Sequence, residues 1–228
     1  MIAARAHAVR EYEKHIKHKD KEGGDEQAQR KRLFDATLLV WLTSVPPDRV
    51  KVARTLQLGG SLKPTADGGF DLDLATPDAH KTAAIFGPSR TPVPEAACAL
   101  LKAWVAAAGL TAAAKPYVFV LGRGGGRGGG IGPGGHAQPV ADKRWTEVVQ
   151  GVLKRHSGVA MAPKDLRASF ITFLMSDANT DEQLKKAVAH AMRHSTAQQG
   201  GPAYDKERAE RMWASAVNVA GAYAACFT

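Results

Sequence analysis

A basic pair, a histidine and a tyrosine follow one another late in the chain, in an order suited to chemistry on a phosphate. Lys164 and Arg167 are three residues apart in the segment PKDLRASFITFL, so they share one face if this segment is a helix. His194 follows, and Tyr204 comes ten residues after it, behind a break predicted at Gly200-Gly201-Pro202. A tyrosine after a flexible turn can present its phenol to a phosphate that the basic side chains hold.

Two predicted helices position these side chains. The first begins at Pro163, because proline suits a first helical position, and it buries an apolar stripe of Leu166, Phe170, Phe173 and Leu174. The second opens with the capping-box pattern of residues 180–183 and ends near His194. Its expected buried residues are Leu184, Ala187, Val188 and Ala191.

Arg49 lies upstream, at a junction between predicted core elements. Residues 32–45 (RLFDATLLVWLTSV) have the apolar density of a buried helix, and Pro46-Pro47 ends it. Residues 50–58 predict a short helix that leads into a turn at Gly59-Gly60. A side chain at such a junction is held between well-ordered elements.

A small antiparallel sheet is expected next, with Lys81 on one of its hairpins. The helical period disappears from residue 61 to residue 93. Gly68-Gly69 predicts a turn, and the alternation in FDLDL is typical of a half-exposed strand. The segment AHKTAAIFGPSRTPVP then reads as a second β-like arm that carries Lys81 and is ended by prolines.

The rest of the expected core comes from two more helices and one extended piece. Residues 94–110 form an alanine-rich amphipathic helix, and residues 117–121 (YVFVL) a short buried strand or extended segment. Residues 142–156 predict a helix, ended by Ser157-Gly158, that directs four side chains to the core: Trp145, Val148, Val149 and Leu153.

The ordered set of motifs resembles the catalytic half of the tyrosine recombinase (phage integrase) family. The matching elements are Arg49 in PPDR, Lys81 in His80-Lys81-Thr82, Lys164-x-x-Arg167, His194-Ser195 and Tyr204. The Pro-Pro-x-Arg form is closest to eukaryotic transposon-borne and large-virus members. The resemblance covers about residues 33–220, and lysine occupies position 164, where many relatives carry histidine.

The resemblance implies a mainly α fold with a small antiparallel β-sheet, the tyrosine recombinase catalytic-domain fold. It also implies DNA recombination or integration through a 3′-phosphotyrosine on Tyr204, with no metal and no cofactor. The implied catalytic residues are Arg49, Lys81, Lys164, Arg167, His194 and Tyr204. The implied partners are double-stranded DNA and further copies of the chain, as a tetramer on DNA.

The domain organisation expected from the sequence has two parts. Residues 1–32 are of mixed charge and predict a solvated helix and linker, or alternatively a basic arm against a DNA backbone. Residues 33–228 form the catalytic domain. Within it, residues 122–135 (GRGGGRGGGIGPGG) predict a mobile insertion, and they lack the Gly-Lys-Ser/Thr of a P-loop. Residues 206–228 begin polar and end apolar. The resemblance implies that they form a terminal helix that docks on a neighbouring protomer, and the alternative is docking on its own core.

Composition is consistent with a polyanionic partner. The formal net charge is +9 and the pI about 9.7, which favours nucleic acid over a membrane. No run approaches the roughly 20 apolar residues of a membrane span, and the N-terminus lacks an apolar signal-peptide core. Cys98 and Cys226 are too few for a disulfide framework and read as structural thiols. We expect an intracellular protein located with DNA, in the nucleus if the source is eukaryotic.

Other functional classes remain open at this point. A type IB topoisomerase uses a similar residue set but relaxes DNA as a monomer, and a catalytically silent relative would only bind DNA. His190 and His194 have the i, i+4 spacing of metal ligands but lack the Glu of H-E-x-x-H and an obvious third ligand. A basic helical protein without any of these activities is the remaining alternative.

Overall fold

The structure is a computed structural model, and it describes residues 2–22, 26–44, 50–75, 89–114, 116–119, 139–166, 169–170, 183–184, 186–187, 217–219 and 221–222. These residues form a mainly helical protein with a small three-stranded antiparallel sheet. The general α+β class expected from the sequence is therefore confirmed.

Five α-helices with defined bounds provide most of the described structure. They are α1 (Ile2–Glu22), α2 (Glu26–Ser44), α3 (Val50–Arg54), α4 (Glu95–Ala107) and α5 (Asp142–Ser157), with a short 3₁₀ helix at Ala112–Ala114. Residues 163–166, 169–170, 183–184, 186–187, 217–219 and 221–222 are also helical. The helices predicted at residues 32–45, 50–58, 94–110 and 142–156 are all present, but α2 begins six residues earlier than expected and α3 ends four residues earlier.

The sheet lies between α3 and α4 in the chain. Its strands β1 (Leu62–Pro64), β2 (Phe70–Asp73) and β3 (Arg90–Pro92) pair antiparallel in the order β1-β2-β3. β2 alternates buried and half-buried residues, so Phe70 and Leu72 face the core while Asp71 and Asp73 do not. This is the alternation that the FDLDL pattern predicted.

The core is built from α2, α4 and α5 around a cluster of aromatic rings. Phe119 lies at the centre, with ring centroids 6.2 Å from Phe34, 6.2 Å from Trp41 and 5.7 Å from Trp145. Trp104 packs edge-on against Phe34 at 5.3 Å, and its indole N–H donates to the Val118 carbonyl over 2.8 Å. Residues 117–119, the described part of the segment expected to be a buried extended piece, therefore lie between the helices. Aromatic side chains of this size contribute much of the apolar area that a core buries.

Two glycines adopt the left-handed backbone conformation, at positions that other residues fit poorly. Gly158 ends α5 in the left-handed conformation at φ 76°, and its N–H donates to the Lys154 carbonyl. Gly59 turns the chain after α3 at φ 73°, where an added Cβ would lie 2.2 Å from the Ala112 carbonyl oxygen. The turn between α3 and β1 is thus fixed by close backbone approach, which only glycine permits.

The N-terminal segment differs from the expectation of a solvated helix and linker. α1 is helical as predicted, but Ala4 and Ala8 are 0% and 1% exposed and belong to the main core cluster. α2 begins at Glu26, inside the stretch assigned to the linker, and α1 packs against both α2 and α5. The reason is that alanine presents a small apolar face, which allows two helices to approach closely although the hydrophobicity pattern is weak.

Cys98 fits the structural role expected for it. It is 6% exposed, and its Sγ lies 3.3 Å from the Val93 carbonyl oxygen, to which it donates. Burial raises the pKa of the Cys98 thiol, so the nucleophilic thiolate is scarce. Cys226 lies outside the described residues. In the part of the chain that the structure describes, no helix is long and apolar enough to cross a membrane.

Candidate active site

Lys164 is the one predicted catalytic residue that falls within the described ranges. It is exposed on a helical segment that starts at Pro163, as expected. Arg49, Lys81, Arg167, His194 and Tyr204 lie outside the described residues, so the grouping of all six stays a prediction. His190, of the alternative metal site, also lies outside them. Among the described residues, no three His, Cys, Asp or Glu side chains form a group that could hold a metal ion.

The segment that carries Lys164 is anchored on both sides of this lysine. The Ala162 N–H donates to Asp165 Oδ2 over 3.1 Å, which satisfies one of the free amides at the helix start. Leu166 and Phe170 are each 2% exposed, as the apolar stripe predicted. The helix start is capped and Leu166 is buried, whereas Lys164 is exposed to solvent.

The helices that flank Arg49 in sequence are both fixed to α5. α2 ends at Ser44 and α3 begins at Val50, directly after Arg49. On α3, Arg54 forms an ion pair with Asp142 (Nε–Oδ1 2.6 Å) and donates from Nη1 to the Val140 carbonyl over 2.7 Å. These contacts attach α3 to the start of α5, the helix that leads toward Lys164.

The strands that flank Lys81 in sequence are neighbours in the sheet. β2 precedes this lysine and β3 follows it, with Asp73 opposite Arg90 in the antiparallel register. The Leu74 N–H donates to the Ser89 carbonyl over 2.7 Å, which extends the pairing one residue beyond the strand ends. β2 and β3 are therefore paired with each other, whereas the hairpin position of Lys81 stays a prediction.

Diagonal ion pairs stabilise this sheet on its more exposed face. Lys63 Nζ on β1 lies 2.6 Å from Asp73 Oδ2 on β2, and Arg90 Nη2 on β3 lies 2.8 Å from Asp71 Oδ2 on β2. Burial alone would raise the pKa of Asp73, but hydrogen bonds from Lys63 and the Ala75 amide, with Arg90 nearby, hold that pKa below its usual range. Each central carboxylate is thus neutralised by a neighbouring strand.

The Asp73 contacts predict a pH dependence of stability. Because the folded-state pKa of Asp73 is lowered, its contribution is present above the unfolded value of about 3.9 and is lost as pH falls through the folded value. Asp73→Asn should therefore lower the free energy of unfolding at pH 7. The expected loss is only about 0.5–1 kcal/mol, since Lys63 is half exposed and screened by solvent.

Urea unfolding of wild type and Asp73→Asn checks this expectation, at neutral pH and again near pH 3. The difference between the two proteins should shrink at the lower pH. A difference that stays constant or grows with acid would contradict the role assigned to this carboxylate.

A buried carboxylate that sequence reasoning did not single out joins α2 to the end of α5. The Asp35 side chain is 4% exposed and accepts two hydrogen bonds from Arg155, Nε to Oδ2 over 2.9 Å and Nη2 to Oδ1 over 2.8 Å. His156 Nε2 lies 3.1 Å from Asp35 Oδ2, and His156 Nδ1 lies 2.9 Å from Nδ1 of His7 on α1. One acidic residue inside the apolar run LFDATLLV was the available signal, because a buried charge requires partners.

Removing the charge of Asp35 should be costly. Asp35→Asn keeps the shape of the side chain but leaves Arg155 and His156 without their carboxylate. We expect the free energy of unfolding to fall by about 2–3 kcal/mol. This is less than the loss of a partner from a fully buried ion pair costs, because Arg155 is 42% exposed and can be hydrated.

Equilibrium urea unfolding measures this loss, with Asp142→Asn as the matched control. Asp142 is 76% exposed, so its pair with Arg54 should contribute no more than about 1 kcal/mol. An equal loss of unfolding free energy in the two variants would show that the Asp35 contacts do not stabilise the packing of α2 against α5.

The sequence was compared with protein-family models and with curated proteins. No protein-family model matches the sequence, and no curated protein matches it either.

Proposed function

We propose that this chain is the catalytic domain of a tyrosine recombinase, which cuts and rejoins double-stranded DNA without a metal or cofactor. The observation that carries the proposal is the order and spacing of six residues along the chain: Arg49, Lys81, Lys164, Arg167, His194 and Tyr204. The proposed setting is a tetramer on DNA inside the cell, in the nucleus if the source is eukaryotic.

The described framework supports the proposal in three places. A buried helix, α2, ends shortly before Arg49, and a second helix follows it directly. Two paired antiparallel strands enclose Lys81 in sequence. A capped helical segment presents Lys164 and leads into Arg167. Each basic residue is thus next to an element of the type that such a site requires.

The proposed reaction starts with the Tyr204 oxygen attacking a backbone phosphorus in line with the 5′-bridging oxygen. A P–O bond to tyrosine forms while the P–O5′ bond breaks, and the 5′ oxygen leaves with a proton as a hydroxyl. The 3′-phosphotyrosine conserves the energy of the broken bond, so no external energy source is needed. Attack by a 5′ hydroxyl of another strand reverses the step and completes the exchange.

The cationic residues have distinct roles in this proposal. A phenol with an ordinary pKa near 10 is a weak nucleophile at neutral pH, so nearby positive charge must favour its ionised form. Arg49 and Arg167 bind the non-bridging oxygens, because a guanidinium stays charged and forms two parallel hydrogen bonds to phosphate. His194 and Lys164 complete the phosphate contacts, and His194 helps to accept the phenolic proton.

Lys81 is assigned the role of general acid toward the departing 5′ oxygen. An ammonium group on the connection between two strands can reach the leaving group and supply its proton. The paired ends of β2 and β3 fix where that connection begins and ends.

Capture of covalent protein–DNA adducts tests the proposal. The protein is incubated with a pool of duplex DNA fragments that carry 5′-bridging sulfur in place of oxygen, because a thiol leaving group rejoins poorly. After denaturation, the trapped adducts are digested with protease, and mass spectrometry identifies the modified residue.

DNA attached to the peptide that contains Tyr204 is the expected result, with sequencing of the trapped ends revealing the preferred site. DNA attached to another residue would disprove the assignment of the nucleophile. Absence of any adduct, with salt-sensitive DNA binding intact, would favour the silent DNA-binding relative. Relaxation of supercoiled plasmid by a protein that stays monomeric would favour the topoisomerase.

A further inference from the structure

Two histidines from distant parts of the chain, His7 and His156, contact each other through their Nδ1 atoms. His7 of α1 and His156 of α5 approach with Nδ1 to Nδ1 at 2.9 Å and ring centroids at 5.2 Å. The opposite nitrogen of His156, Nε2, lies 3.1 Å from Asp35 Oδ2 on α2. Three helices are thus connected by one line of polar contacts, which the proposed DNA chemistry does not use.

The number of protons that this line can hold is limited. Asp35 accepts two hydrogen bonds from Arg155, so it is the carboxylate acceptor and His156 Nε2 carries the proton between them. A hydrogen bond between the two Nδ1 atoms needs one proton, donated by either ring. With the remaining nitrogen of His7 also protonated, the pair holds three protons and a single positive charge. A fourth proton places two N–H groups against each other and breaks the bond.

We propose that His7 and His156 form a proton-sensitive latch that holds α1 on α5 and releases it in acid. The released α1 leaves His7 free to take up the fourth proton, whereas the latched state excludes that proton. Acid therefore favours release, by the linkage between proton uptake and conformational equilibrium.

The charged groups around the latch come from all three helices. Asp35 of α2 contacts His156 directly, and Arg155 of α5 pairs with the same carboxylate. On α1, Arg10 and Glu11 follow His7 by three and four residues and share its helix face. None of these groups supplies an acceptor between the two Nδ1 atoms, so none replaces the bond that the fourth proton removes.

The effect should be local to α1 and modest in size. Ala4 and Ala8 still pack into the core when the latch opens, so α1 loosens and the fold persists. A net hydrogen bond changes an opening equilibrium by a small factor, and we expect protection of α1 amides to fall roughly fivefold in acid.

Hydrogen exchange read by mass spectrometry tests the latch at about pH 7.5 and about pH 5.5, with labelling times scaled for the intrinsic pH dependence of exchange. The full chain is compared with His7→Gln, whose amide does not titrate, and with His15→Gln, a control on the same helix. The expected result is an acid-induced loss of protection in α1 of wild type and His15→Gln, with α2 and α4 unchanged. In His7→Gln the protection of α1 should not depend on pH.

Three outcomes would overturn the latch. The first is equal α1 protection at both pH values in wild type. The second is an acid-induced loss that persists in His7→Gln, because another group would then be titrating. The third is a simultaneous loss across α1, α2 and α4, which would indicate global unfolding. None of these readouts uses DNA, so the latch and the proposed recombinase activity can fail separately.

Discussion

Tyr204→Phe should abolish the covalent adduct while leaving DNA binding intact. The substitution removes one hydroxyl, which is the atom that attacks phosphorus, and keeps the aromatic ring and every basic side chain. We expect adduct formation to fall at least about a thousandfold, to the level of background, because no other group supplies the nucleophile. Adducts are counted on denaturing gels, and binding is measured as affinity against salt concentration.

Tyr117→Phe provides the matched control for this result. It removes the same hydroxyl from a half-buried tyrosine in the described segment that pairs with Gln57. Adduct formation should remain at the wild-type level in this variant. An adduct that persists in Tyr204→Phe would mean that a different residue attacks the phosphate, and a loss in both variants would mean that the assay reports folding.

The Lys81→Ala variant should fail to cleave ordinary DNA. It should cleave DNA that carries sulfur at the 5′-bridging position. General acids contribute about a hundred- to ten-thousandfold to rates of this type. A thiolate leaves without a proton because a thiol is far more acidic than an alcohol, so the lysine is not needed on the sulfur substrate. Single-turnover cleavage of the two substrates, at a site found by the adduct assay, measures the difference.

Arg49→Ala separates this role from general phosphate binding. Its guanidinium is assigned to the non-bridging oxygens, which both substrates share, so its loss should slow both by similar factors. If Lys81→Ala cleaves the oxygen and sulfur substrates equally slowly, Lys81 contributes through binding or folding. A different residue must then be the general acid.

Local patterns in the sequence predicted most of the described elements. α4 and α5 follow amphipathic runs, β2 follows a strict alternation, and Gly158 ends α5 as the Ser-Gly pair indicated. These features depend on residues close together in the chain, where spacing determines which side chains share a face.

The contacts that sequence reasoning missed depend on residues far apart in the chain. Asp35 could be seen as an acid within an apolar helix, but its partner Arg155 lies 120 residues later, and no local spacing connects them. The burial of Ala4 and Ala8 was missed because alanine carries little hydrophobic signal, although it permits close helix packing. Lys164 is exposed as a phosphate contact requires, whereas the arrangement of the other five site residues stays a prediction.

The two outer strands of the sheet each end in a proline, which limits what the sheet can pair with. Pro64 terminates β1 and Pro92 terminates β3, and proline has no N–H to offer to an incoming strand. Both strands are also only three residues long, too short to act as a template for edge-to-edge aggregation. Joining of copies by strand addition is therefore disfavoured on both sides of the sheet. Self-association of this chain should depend on contacts between helices, and it should leave the strands around Lys81 unchanged.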